Sequence, residues 1–160
     1  AARVGRPRQL RRPRQHQCGR HASHRARRSG RHEDWATHGL EHELSALNPA
    51  ITHGAGLAVM FPAWMEYVHT ENPARFAFYG QAVFGLAPTG DVEADALSAI
   101  DETRAFFASL GMPTTLAELD VEEADIPKML PTLAQNKGVP FGTFKKLTLE
   151  DAEEIYKLAL

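Results

Sequence analysis

Residues 32–160 predict an all-α fold, a helical bundle, on three observations. Apolar residues recur at spacings of three and four through stretch after stretch. Proline, glycine and capping residues punctuate those stretches where helices would start and stop. No segment alternates apolar and polar residues as a half-buried strand would.

The helices follow in order. The first covers 33–47, with Trp35, Ala36, Leu40, Leu44 and Leu47 as its apolar positions, and Asn48-Pro49 stops it. The second covers 54–69 and is apolar nearly all round, which marks a buried helix. Pro62 is expected to kink or restart it. The third covers 73–86: Pro73 suits a first turn, and Phe76, Tyr79, Val83 and Leu86 repeat at helical spacing. The fourth runs from an Asp91 cap to Leu110 with Gly111 as its stop. Its expected core stripe is Val92, Ala96, Ala99, Ile100, Phe107 and Leu110. Residues 112–121 connect. Residues 122–136 are helical but interrupted by Pro127 and Pro131, so two short pieces are expected, with the acidic run 120–125 as a solvated start. Residues 139–147 form a loop. The last helix covers 148–160, with Thr148 and Asp151 spaced as a capping box and Leu149, Ala152, Ile155, Tyr156 and Ala159 facing inward.

Charge divides the chain. Residues 1–31 hold eleven arginines and no lysine, aspartate or glutamate, which leaves seven basic and twenty acidic residues in 32–160. A body carrying −13 argues against nucleic-acid binding there. The segment 1–31 shows neither helical nor strand periodicity. A GC-rich, alanine-coding stretch read one base out of frame turns GCN codons into CGN codons, hence arginine. A frameshift-derived segment is therefore the first reading of 1–31; a disordered basic arm is the second and a targeting peptide the third. Cys18 is the only cysteine, so no disulfide framework exists, which fits a reducing, cytoplasmic compartment. At 160 residues the length is that of one domain, and no apolar run approaches a membrane span.

The chemistry-bearing stretch is Trp35-Ala-Thr-His38-Gly-Leu-Glu-His42, continued by Ile51-Thr-His53-Gly-Ala-Gly56. His38 and His42 are four apart and share a helix face. His53 lies beyond a turn that could bring it back towards them. Imidazoles so placed make a partial site for a divalent transition metal.

The segment Asp34-Trp-Ala-Thr-His38-Gly-Leu-Glu-His42-Glu-Leu-Ser-Ala46, followed by His53-Gly-Ala-Gly-Leu-Ala-Val-Met-Phe-Pro-Ala-Trp64-Met65, resembles the iron-containing alcohol dehydrogenase family, in its butanol dehydrogenase-like branch. Phe106-Phe-Ala-Ser-Leu-Gly-Met-Pro-Thr114, Ile126-Pro127 and Thr148-Leu…Ile155-Tyr156 extend the likeness over 33–160. The resemblance implies the family's C-terminal helical metal-binding domain. It implies a fragment of an enzyme that interconverts primary alcohols and aldehydes with NAD(P)H, a divalent Fe or Zn polarising the substrate oxygen. By motif position His38 and His53 are metal ligands. His42 matches a catalytic histidine lining the cleft near the nicotinamide and substrate. Glu41 or Glu43 is expected to hold the outer ring nitrogen of a ligand. The implied partner is a small alcohol or aldehyde, with no nucleic acid and no membrane, and a homodimer is possible.

Three departures accompany the likeness. No Gly-rich strand-to-helix turn for a dinucleotide occurs. The family's aspartate and histidine ligands four residues apart are missing upstream of His38. The loop between His42 and His53 is one residue longer, at Asn48-Pro49-Ala50. The chain alone is therefore expected to be inactive. The alternative is a non-catalytic helical domain with a vestigial metal site; a nucleic-acid binder rests on 1–31 alone.

Overall fold

A computed structural model describes residues 33–160, all helices and loops, and the expectations for 1–31 lie outside the described residues. Among the described residues six α-helices follow one another: α1 (Ala36–Leu47), α2 (His53–Val68), α3 (Pro73–Phe84), α4 (Val92–Ser109), α5 (Ile126–Lys137) and α6 (Leu149–Leu158). Among the described residues, β-pairing is limited to one isolated bridge between Phe141 and Leu147. No described helix is long and apolar enough to cross a membrane.

The centre is α2. It packs against α1, α4 and α6, while α5 closes the far side of α1 and α6 and α3 lies along α4. Its composition explains the position: Ala58, Val59, Met60, Ala63, Trp64, Met65 and Val68 are all buried, on more than one face. The helix runs through Pro62 without interruption, so it does not restart there. Proline removes the bond to the carbonyl four residues back. Here the burial of Val59, Met60, Ala63 and Trp64 around it outweighs that loss.

The first helix begins at Ala36, not at 33, because Asp34 is engaged elsewhere. Its Oδ1 accepts from the Ala36 N–H at 2.7 Å. Its Oδ2 accepts from the N–H groups of Thr143 at 2.8 Å and Phe144 at 2.6 Å. One carboxylate thus starts α1 and pins the 139–147 loop to it. Trp35 is 55% exposed, so the inward face of α1 is Ala36, Leu40 and Leu44.

Two predicted stripes shift in register. On α3, Val83 is 59% exposed. The face that meets α4 is instead Phe76, Ala77 and Gly80, and a Cβ at Gly80 would stand 2.6 Å from the Ala99 Cβ. The two backbones approach so closely there that Val83 turns outward. On α4, Ala96, Ala99 and Ile100 are buried as expected, but Val92 is exposed and Leu110 is 62% exposed. Thr103 takes the inward place further along, donating to the Ala99 carbonyl at 2.8 Å and meeting the Tyr79 hydroxyl at 3.1 Å. Asp91 caps α4 by accepting from the N–H groups of Glu93 and Ala94.

The interruption expected in 122–136 falls elsewhere. Glu122 and Asp125 form a capping box around a short 3₁₀ turn, Glu123–Asp125, and α5 then runs unbroken to Lys137 with Pro127 in its first turn. Pro131 lies inside α5 on its exposed side. The final helix carries the expected capping box of Thr148 and Asp151. Ala152, Ile155, Tyr156 and Ala159 are buried and Leu149 packs against them.

Asp151 also ties α6 to α2, accepting from the Tyr67 hydroxyl. Burial opposes its ionisation, but hydrogen bonds from the Thr148 N–H, the Tyr67 hydroxyl and the Thr148 hydroxyl, with the nearby Lys145, outweigh burial and hold the carboxyl below its usual range. The same bond pushes Tyr67 up to about 12. A carboxyl whose folded pKa is depressed stabilises the fold above its unfolded pKa, and that contribution fades as pH falls through the folded value. Asp151→Asn is therefore expected to cost on the order of 1 kcal/mol at pH 7. Urea midpoints should show the gap between wild type and variant closing as the pH is lowered below the usual carboxylate range.

Candidate metal centre

The site lies where α1 meets the first turn of α2. His38 and His42 stand one turn apart on α1, and His53 is the first residue of α2. The Ile51 N–H donates to the Asn48 carbonyl at 3.0 Å, closing the turn that returns the chain. The three imidazoles form a triangle: ring centroids are 5.4 Å apart for His38–His53, 5.4 Å for His42–His53 and 6.4 Å for His38–His42. Sequence spacing alone placed only His38 and His42 together; the turn adds His53.

Each histidine sits in a different setting. His38 is partly buried, and its Nδ1 is shut away from solvent without a hydrogen-bond partner. Burial, then the neighbouring rings of His53 and His42, push its pKa below the usual imidazole value against the pull of Glu41. It is held neutral, with a lone pair available. His42 is exposed on the outer side. His53 has a half-exposed side chain whose Nδ1 pairs with Glu41 Oε2.

The expectation left Glu41 and Glu43 open as the carboxylate behind a ligand. Glu41 contacts His53, whereas Glu43, also buried, accepts from Asn136 Nδ2 on α5 at 2.9 Å. Ser45 and Gly56 were not singled out from the sequence, yet both touch the Glu41 environment: Ser45 Oγ donates to Glu41 Oε1 at 2.6 Å, and a Cβ on Gly56 would stand 2.7 Å from Glu41 Cγ. Their signal was spacing. Glu41 and Ser45 are four apart on α1, and His53 and Gly56 three apart on α2. Donor atoms of Glu41, His42 and His53 lie within 4.8 Å of one another, a second set of possible metal donors that omits His38.

The orphaned His38 nitrogen and the convergence of imidazole nitrogen donors fit a divalent transition metal. The fit is partial, because a catalytic centre of this type takes three or more protein ligands and an open position.

Residues 28–160 match the profile of the Fe-containing alcohol dehydrogenase family, C-terminal. A probable NADH-dependent butanol dehydrogenase of Bacillus subtilis is 39% identical over 132 residues, covering 82% of this chain and 33% of the relative. The crystal structure of the NADH-dependent butanol dehydrogenase A of Thermotoga maritima superimposes with a TM-score of 0.73 at 37% identity, covering 81% of this chain and 33% of that one. The aldehyde reductase YqhD of Escherichia coli gives a TM-score of 0.75 at 31% identity, with 80% and 33% covered. The chain spans about a third of the length of these relatives. The sequence match and the shared helical architecture agree, and the chain belongs to the iron-containing alcohol dehydrogenase family, corresponding to its C-terminal helical part.

Proposed function

We propose that this chain carries the histidine-bearing part of the active site of an NAD(P)-linked oxidoreductase that interconverts small primary alcohols and aldehydes. His38 and His53 are its ligands for a divalent Fe or Zn, and His42 lines the cleft for nicotinamide and substrate. The observation that carries this reading is the convergence of three imidazoles from two helices within a stretch similar to butanol dehydrogenases. When bound, the metal supplies Lewis acidity at the alcohol or carbonyl oxygen, and the nicotinamide takes or returns the hydride.

The chain's own residues set the rest. A neutral His38 offers a lone pair at pH 7. His42, exposed beside the other two rings, is placed to take the hydroxyl proton of an alcohol or to return it to a carbonyl oxygen. The relatives' names supply the substrate class, a short alcohol, and a nicotinamide cofactor.

The alternative is a non-catalytic helical domain with a vestigial metal site. One experiment separates the two. The 160-residue chain is titrated with Zn2+ by calorimetry, then assayed with NADH or NADPH and butanal. One Zn2+ bound per chain supports the ligand assignment, and no binding overturns it. Turnover is expected to equal that of a His38→Ala control. Turnover above that control would show that the chain by itself completes the site.

A further inference from the structure

Glu41 is fully buried, yet it hydrogen-bonds to a half-exposed histidine. A carboxylate in that position needs donors for its oxygens, and the surroundings supply one for each. Oε2 meets His53 Nδ1. Oε1 accepts from Ser45 Oγ at 2.6 Å. The Ser45 hydroxyl has a single hydrogen, and its other neighbour, the Ile51 carbonyl, stands farther off at 3.4 Å. The hydrogen therefore goes to Glu41. Gly56 completes the cradle. A Cβ there would stand 2.7 Å from Glu41 Cγ and 2.9 Å from Oε1, so only glycine leaves the carboxylate its room. Two residues one turn apart on α1, Glu41 and Ser45, thus face two residues one turn apart on α2, His53 and Gly56.

We propose that Glu41 is a positioning residue, a buried carboxylate that Ser45 orients and Gly56 accommodates, which fixes the proton of His53 on Nδ1 and leaves Nε2 as the ring's only lone-pair nitrogen. The chemistry requires it. Oε1 takes the Ser45 hydrogen and Oε2 faces the ring nitrogen as an acceptor, so that nitrogen carries the hydrogen. A carboxylate behind a ligating imidazole fixes the ring's tautomer and orientation and raises its basicity. This deepens the metal reading above and rests on it for the role of Nε2, but the tautomer itself exists with or without metal.

The test begins with the metal-free 160-residue chain at neutral pH, its histidines 15N-labelled and observed by long-range 1H–15N correlation. His53 is expected as the Nδ1–H tautomer. Finding it as Nε2–H in the wild type overturns the proposal. Glu41→Gln keeps the shape of the side chain, and its amide can either donate or accept, so the Nδ1–H share is expected to fall. Ser45→Ala leaves Glu41 in place but loosens it, and a smaller fall is expected. If both variants keep the wild-type tautomer while their helical circular dichroism is unchanged, Glu41 does not set it and the proposal fails. Zn2+ titration then reads the consequence, an expected 10- to 100-fold loss of affinity in Glu41→Gln. A wild-type chain that holds His53 as Nδ1–H but binds no Zn2+ refutes the ligand assignment and supports Glu41 as the positioning residue. A chain that binds Zn2+ with His53 as Nε2–H does the reverse.

Discussion

Tyr156→Ala is expected to lower stability by about 3–5 kcal/mol, the range for removing a large buried aromatic ring. Tyr156 is fully buried at the heart of the bundle, and its hydroxyl donates to the Leu40 carbonyl of α1 at 2.8 Å. Burial, with Glu43 and Glu41 nearby, pushes its pKa well above the usual phenol value, so the hydroxyl stays a donor throughout the working range. Tyr156→Phe isolates the hydrogen bond from the ring, and the expected loss is then about 1–3 kcal/mol. The consequence reaches the site, because Leu40 lies between His38 and His42 on α1. The last helix therefore anchors the turn that carries two of the three histidines. Urea denaturation followed by circular dichroism measures both variants. A Phe variant as stable as the wild type would show that the ring alone holds the contact.

Most helices were legible because their ends are written in short-range chemistry. Asp91, Thr148 with Asp151, and Pro73 start helices by local hydrogen bonding or fixed φ, and the structure uses all of them. What escaped was set at longer range. The start of α1 moved because Asp34 reaches more than a hundred residues along the chain to Thr143 and Phe144. Pro62 failed to break α2 because the helix is gripped on several faces at once, a grip that local propensity does not see. Val83 was misplaced because the α3–α4 contact runs over a glycine and an alanine, which carry too little hydrophobicity to mark a face.

The site divides in the same way. His38 and His42 follow from helical spacing, and the turn at Asn48-Pro49 offered His53 as the third imidazole. The carboxylate behind His53 could not be chosen from sequence, since Glu41 and Glu43 flank His42 symmetrically along the chain. On the helix they point differently, Glu41 towards α2 and Glu43 towards Asn136 on α5. The 200° between residues two apart on a helix decides which reaches His53 and which reaches α5.

Alanine replacement of each histidine in turn is expected to split them two to one. His38→Ala and His53→Ala should each lower Zn2+ affinity tenfold or more, at least 1.4 kcal/mol. His42→Ala should leave it within about twofold. Both donor sets contain His53, so the contest is between His38 and His42. Two facts favour His38. Its Nδ1 is buried with no protein partner, a cost that the fold bears unless something else meets that ring. Glu41, which the rival set requires as a ligand, already has one oxygen on His53 and the other on Ser45. Recruiting it would take a buried carboxylate away from the two donors that satisfy its oxygens. His42 is exposed and free of that constraint, as a residue that exchanges protons with substrate needs to be. Calorimetric titration of the three variants measures the split. A large loss for His42→Ala with none for His38→Ala would transfer the metal to Glu41, His42 and His53.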